Sequence, residues 1–526
     1  MAKNITMPKP NLLDKVVSYV SPQRGISRMK ARVAMALAGS YKGAREDRKN
    51  KQWSPGGGDA DADILTDLPE LRERSRDLVR NSPLAAGAIN TKVTNIVGRG
   101  LRLESAIDHE YLKMTDEEAH QWESNTEREF KLWANSKDCD ITRTNNFYEM
   151  QDLIYRSTLE SGDCFALMPM IKLPSNPYSL KIQIVEADNV SNDENAGDSP
   201  TLAGGIETDK YGAPINYHVS DSHPGNEVGG DKTWTKVPAF GEQTGRRNVI
   251  HLYEKLRPGQ SRGVPDLAGV IEPLKQLDRY TDAEINAAVI SGMFAVFITT
   301  PTGDGLLANT TNSGGKSDDI KIGAGEWSMV DLTPGEEVNT TQSPGRPNTA
   351  FDPFVQAVLR QVGVALQLPF EILIGHFTSS YSAAQAAILA AWKFYLSSRD
   401  WLANSFCQIV YENWMDEAVL LGRVEAPGYF EDPAIRQAYL GAEWIGPPRD
   451  HIDPLKQNRA DELAEDRGWK TTSQNTSERG GDWDKKHKQR AKEVRMRTED
   501  GLIEPVNQGL VAEQEETENV EDQKEE

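Results

Sequence analysis

The chain has 526 residues, 38% of them hydrophobic, and a formal net charge of −21. That length excludes a single small domain, and so acidic a balance excludes a folded body built around a basic, sequence-reading DNA face. The charge is segregated: residues 1–55 hold 12 Lys/Arg against 3 Asp/Glu, which leaves −30 for the remainder. Cys139, Cys164 and Cys407 share no close spacing and form neither a disulfide framework nor a metal clip, as suits a reducing cytoplasm.

Residues 1–62 read as a basic flexible arm that ends in a glycine run at 56–58 and has no apolar stretch of the secretory type. From Asp67 the pattern is helical. Asn81-Ser-Pro83 breaks one helix and opens the next, and Gly98 and Gly100 stop that second helix before a strand at Leu101–Leu103. Glu117–Ala134 and Phe147–Glu160 are predicted helices, the first anchored by Trp122, Phe130 and Trp133. Past Gly162 the apolar period falls from 3.6 to 2, so residues 163–255 are expected to form an antiparallel β region with helices packed on it. His218 and His223 flank a turn there, and with no third ligand nearby in sequence no zinc site is expected.

A turn-rich corner at Arg257–Pro265 leads into a predicted long helix, Asp266–Ile298. Its most apolar part, Ile285–Ile298, is 14 residues long, too short to cross a bilayer core of roughly 30 Å. Thr299–Thr349 then holds 8 Gly and 4 Pro and reads as a small β-rich excursion between two helices. The returning helix keeps Phe354, Val358, Val362, Ala365 and Leu366 on one face, and Pro369 is expected to end it. Gly375–Ser382 is a hydroxyl-rich loop without charged side chains, suited to touching a polyanion without holding it by counterion release. An ordinary connection capped by Ser382 and Gln385 fits the same residues. Ala383–Leu421 runs without Pro or Gly and predicts a helix of roughly 58 Å. Beyond Gly422 lie a turn at Glu443–Leu455, helices at Leu455–Arg467 and Asp482–Arg497, and a final sixteen residues with 8 acids and 1 Lys.

Phosphate-loop chemistry is not expected. Ser313-Gly-Gly-Lys-Ser317 has Thr310 where a Walker A loop needs glycine, and neither a strand before it nor a helix after it. The sequence holds no HExxH or paired CxxC, and its eight His are scattered, so neither an enzyme nor a cofactor is expected. A monomeric or low-order adaptor and a hydrolase with a dispersed site stand as rival readings of these residues.

Several blocks resemble the lambda-like family of portal proteins of tailed bacteriophages. They are Arg74–Pro83 with the following helix and Gly98-Arg-Gly-Leu101; Gly205–His218; His251–Pro265; Tyr381-Ser-Ala-Ala; and Trp444-Ile-Gly-Pro-Pro448 with His451–Lys456. The resemblance implies a mainly helical α+β subunit of portal type, assembled as a homododecameric ring at one capsid vertex. Its parts would be a wing (63–265), a stem helix (266–298), a clip (299–350), a second stem helix (351–374), a tunnel loop (375–382), the long helix of the wing (383–421), crown helices (422–505) and an acidic disordered tail (506–526). It further implies a DNA-facing loop at Thr378, Ser379, Ser380 and Tyr381, and clip residues Gly325, Trp327 and Asp331 that meet partners. Those partners would be the terminase large subunit, a head-completion adaptor, major capsid and scaffold proteins, and double-stranded DNA passing through without sequence preference. The implied location is the virion, with assembly in the host cytoplasm, and no catalysis, cofactor, metal or membrane is implied.

Overall fold

A computed structural model of the protein describes residues 57–193, 196–226, 232–292, 296–299, 337–340, 350–376, 381–449 and 454–502. The basic arm and the acidic tail therefore lie almost wholly outside the described residues. The chain divides into two units, 1–63 and 64–526. All strands and long helices among the described residues belong to the second unit.

The helical part of that unit begins with α1 (Leu68–Asn81) and α2 (Pro83–Ile96), separated by Ser82 as the sequence predicts. After strand β1 (Arg102–Ser105) come α3 (Asp116–Ala134) and α4 (Phe147–Ser161). Both of these helices start on a complete capping box, Thr115 with Glu118 and Asn146 with Glu149.

The β region contains β2 (Asp163–Leu167), β3 (Gln183–Val185), β4 (Leu202–Ala203), β5 (Ile206–Thr208), β6 (Pro214–Ser220), β7 (Trp234–Pro238) and β8 (Val249–Tyr253). Three strands form an antiparallel sheet in the order β3-β2-β8, and four more form a second in the order β4-β5-β6-β7. Alternation in β2 explains its unbroken apolar text: Cys164 and Ala166 enter the main helical core, while Phe165 enters a second core with Val185, Ile206, Tyr217 and Val249. Both faces of the three-stranded sheet are thus covered. The mixture of helix and antiparallel sheet agrees with the α+β reading. All three cysteines are free and buried.

Four boundaries differ from expectation. The predicted helix 266–298 is α5 (Ile271–Gly292), and Val296–Thr299 forms instead a strand, β9, paired antiparallel with β10 (Glu337–Thr340). The run 351–374 is broken into α6 (Phe351–Ala365) and α7 (Phe370–Ile374). Gln367, at φ 57°, sits in the left-handed position of a Schellman turn whose Leu368 N–H donates to Gly363 O at 2.8 Å, so α6 stops before Pro369 is reached. Helix α8 (Tyr381–Leu402) begins inside the predicted loop, which puts Ser382 within the first turn rather than at a cap. It continues through a π-helical segment, Ala403–Cys407, into α9 (Gln408–Leu420). A π segment rotates the apolar stripe, and here Leu402, Phe406, Val410 and Trp414 all remain in one core over a rod of about 60 Å.

The region beyond Gly422 is not purely helical. Besides α10 (Pro433–Tyr439), α11 (Pro454–Asp466), α12 (Thr472–Glu478) and α13 (Trp483–Glu499), it contains β11 (Ala442–Ile445), which falls in the predicted turn and pairs antiparallel with β1. At the centre of the main core Phe130 meets Trp414 edge-on at 5.1 Å, Phe147 stacks on Phe406 at 5.7 Å, and Trp444 of β11 closes on Phe130 at 6.1 Å.

Candidate functional site

Two polar assemblies fasten the second unit, and the second of them holds the long rod formed by α8 and α9. The first is a buried ionic hub. Asp163, at the start of β2, is fully buried and accepts from Arg72 Nη2 at 2.8 Å, Arg262 Nε at 2.5 Å and Nη2 at 3.1 Å, and the Gly263 N–H at 3.2 Å; His251 Nε2 stands 3.2 Å away. Arg262 donates its other hydrogens to the carbonyls of Ala187, Val190 and Gly204, and Arg72 reaches Ser161 O and Asp188.

Burial alone would raise the Asp163 carboxyl, but Arg262 and Arg72 hold it well below the usual carboxylate range. Burial drives His251 below its ordinary value despite the neighbouring carboxylate. The approach requires glycine: a Cβ at Gly263 would lie 1.9 Å from Gly162 O, and Gly162 itself is at φ 89°. Helix α1, the three-stranded sheet and the 260–265 corner are thereby locked around one carboxylate.

The second assembly is a clasp made by Arg399 near the end of α8. Its guanidinium donates to Asn95 O at 3.1 Å, Ile96 O at 3.3 Å and Pro447 O at 3.0 Å, and lies over the Trp392 ring. Two of these carbonyls belong to the last turn of α2, where a cation suits the helix dipole. Burial pushes the guanidinium down to about 10. Gly446 makes room for it, since a Cβ there would stand 2.3 Å from Arg399 Nε, and a Cβ at Gly98 (φ 57°) would strike the Pro447 ring at 2.5 Å. Deeper along α2, buried Lys92 pairs with Asp266 at 2.7 Å and lies over Phe394, tying the approach to α5 to the same rod.

Neither assembly is built for bond-making, because each charged group is engaged by a fixed partner. The carboxylates of Glu186 and Asp188 do lie close to His223, a grouping that sequence spacing does not reveal. Arg72 and Arg76 engage Asp188, and Arg76 also engages Glu186. The Gly225 N–H donates to His223 Nδ1 at 3.0 Å, so Nε2 carries the proton and points it at Asp188. That arrangement satisfies the imidazole without an ion. His218 is likewise held by Asp193.

The model of the phage portal protein family of lambda type matches residues 46–399 of this sequence. The chain belongs to that family. Portal protein B of Escherichia phage lambda is 26% identical over 480 residues, covering 86% of this chain and 89% of the relative. The portal protein of Escherichia phage N15 is 25% identical over 478 residues, with the same coverage of 86% and 89%. Among solved structures, a chain in the virion of a native gene transfer agent particle aligns at TM-score 0.40 and 13% identity, covering 78% of this chain and 92% of that one. A chain from the neck of the native particle, computed with C12 symmetry, aligns at 0.40 and 14%, covering 77% and 92%.

In this portal chain three of the blocks that carried the resemblance supply residues to the two assemblies. Arg76 comes from the first block, and His251, Arg262 and Gly263 from the third; all lie in or beside the hub. Gly98 and Pro447, 349 positions apart, meet at the clasp. The residues expected to face DNA or partners are a different set. Thr378, Ser379 and Ser380 lie outside the described residues, as do Gly325, Trp327 and Asp331. Tyr381 is the first residue of α8. The hub and the clasp were missed as units because their members are scattered over 190 and 352 positions. The readable hints were the unpaired-looking Asp163 inside an apolar strand and glycines flanking arginines at 98–100 and 262–263. No helix among the described residues is long and apolar enough to cross a membrane.

Proposed function

We propose that this portal-family chain is one of about twelve copies in a ring at a capsid vertex, and that the ring is the conduit through which double-stranded DNA enters and leaves the head. The observation that carries this reading is the family match over residues 46–399. A physical feature of the subunit supports it. Helices α5 and α6 touch through Tyr280, which meets Phe351 and Phe354, yet Ile285, Val289 and Val364 remain more than half exposed, Val364 by 80%. Apolar side chains left on the outside of paired helices are what a neighbouring copy covers in a closed heterologous ring.

In this reading the loop at Thr378, Ser379, Ser380 and Tyr381 meets the DNA with hydroxyls and no charge, so the duplex slides past. The segment containing Gly325, Trp327 and Asp331 docks the terminase motor during packaging and a head-completion adaptor afterwards. Capsid and scaffold proteins meet the outside of the ring. The chain supplies no catalysis of its own; the motor hydrolyses the nucleotide. Its place is the virion, after assembly in the host cytoplasm.

Native mass spectrometry and negative-stain imaging test the ring. A discrete species of about twelve chains with a central hole is expected, and a stable monomer at micromolar concentration overturns the proposal. Deleting Thr378–Ser380 separates the loop's role from assembly: rings of normal mass with a severalfold loss of filled heads are expected. Undiminished yields of filled heads would show that the loop does not serve the DNA.

A further inference from the structure

On a chain with so large an excess of acid, cations are expected to be taken up by carboxylates. One cleft departs from this. A cavity of about 400 Å³ lies where β1, the end of α3 and the start of α13 meet, and its lining includes Arg99, Arg102, Lys131, Tyr148, Lys485 and Lys486. Lys131 and Lys485 are paired with Glu127, and Lys485 also with Asp482. Among the described residues Arg99, Arg102 and Lys486 have no ion pair, and all three are exposed. The remaining acid in the lining, Glu104, is bonded by Ser477, and burial raises its carboxyl pKa, which weakens it as a competitor for the three cations.

The backbone is shaped to present these cations. Arg99 stands between Gly98 and Gly100, both at positive φ, and a Cβ at Gly100 would lie 2.5 Å from Tyr148 Cβ. Arg102 is fixed by the β1–β11 ladder opposite Ile445. Gly481 leaves room for the Lys486 ammonium to lie against the turn, its Nζ 2.3 Å from where a Cβ would stand. From the cleft the positive charge continues along α13, where residues 483–499 hold seven Lys/Arg against three Asp/Glu and every residue from 485 to 499 is exposed.

We propose that this cleft and the adjoining face of α13 form a site for the phosphodiester backbone of double-stranded DNA. The choice of DNA as the polyanion rests on the conduit reading; the cationic site itself does not. Guanidinium forks and an ammonium around a shallow cavity match phosphate oxygens, and a helix of about 25 Å runs alongside several successive phosphates. Its chemistry is opposite to that of the uncharged loop. The loop lets a duplex pass, whereas the cleft holds one by releasing counterions, independently of sequence.

The test uses the full-length chain and a short random-sequence duplex, with binding followed by fluorescence anisotropy at 50 and 200 mM salt. The three cleft cations alone predict an affinity about forty-fold weaker at the higher salt, and contacts along α13 add to that. The triple variant Arg99→Gln, Arg102→Gln, Lys486→Gln is expected to lose roughly tenfold or more of the affinity at 50 mM and about three phosphate contacts' worth of the salt slope. An unchanged affinity and salt slope in a variant with wild-type circular dichroism overturns the site. A variant that loses binding to a polyglutamate peptide while still binding the duplex as before assigns the cleft to acidic protein and overturns the DNA assignment. Native mass spectrometry of both proteins keeps the two proposals apart: a chain that forms no ring yet shows the predicted loss of duplex binding ends the conduit reading and leaves the site standing.

Discussion

Asp163→Ala is expected to lower the thermal midpoint and soluble yield of the protein more than truncation of a typical core side chain. The substitution strands Arg72 and Arg262, both almost completely buried, without the carboxylate that neutralises them. Removing one partner of a buried ion pair costs about 3–5 kcal/mol, because the charge left behind keeps its desolvation penalty. A midpoint within a degree of wild type would show that the guanidiniums find other partners.

The hub also fixes the sign of the pH response. The folded-state pKa of Asp163 is depressed, so its contribution is complete above the unfolded value of about 3.9 and is lost as pH falls below it. His251 is depressed as well, so from about pH 6.5 downward the unfolded chain takes up the imidazole proton first, and stability falls in the same direction. The midpoint should therefore decline from pH 7 to pH 4. The Asp163→Ala variant, having lost the carboxylate, should decline less steeply below about pH 4, and parallel curves for the two proteins would contradict the linkage.

Arg399→Ala is expected to release the 446–448 segment from the end of α2. Three carbonyls lose their donor, two of them in the last turn of a helix. Bonds to a charged donor contribute about 1.5–3 kcal/mol each, but water reaches part of the site once the side chain is gone, so a net loss of about 2–4 kcal/mol is expected. Hydrogen exchange is the direct readout. Amides of β1 and β11 should exchange at least tenfold faster while those of α4 and β2 change little. Uniform acceleration across the chain would mean that the clasp serves global stability and does not join these segments in particular. Arg399→Lys should rescue little, since one ammonium cannot span three carbonyls on two segments.

The sequence located nearly every long helix because their apolar positions recur over several turns and their ends are chemically marked. Thr115, Asn146 and Gly422 each delimit a helix near the predicted place. Errors arose where two periods overlap. Val296–Thr299 continues an apolar run begun in α5, and an apolar run of four cannot be assigned by period; its partner at Glu337–Thr340 decides that it is a strand. Ala442–Ile445 was hidden by the prolines that follow it, and by a partner strand some 340 residues earlier. The start of α8 at Tyr381 and the Schellman stop of α6 at Gln367 depend on local backbone geometry that composition does not encode.

Near-neighbour patterns along the chain were enough to settle the family, the mixed helical and antiparallel character, the long rod and the lack of a phosphate-loop motif. Periodicity, capping residues and ordered blocks of motif carry that information without reference to distant residues. Packing alone settled that Arg72, His251 and Arg262 share one carboxylate, that Gly98 meets Pro447, and that Arg99, Arg102 and Lys486 line one cleft. Charged side chains carry no periodic signal of their partners. Which ones meet is set by how the sheet, the rod and the region beyond Gly422 pack, and at the hub the low-dielectric interior then makes each pairing costly to break.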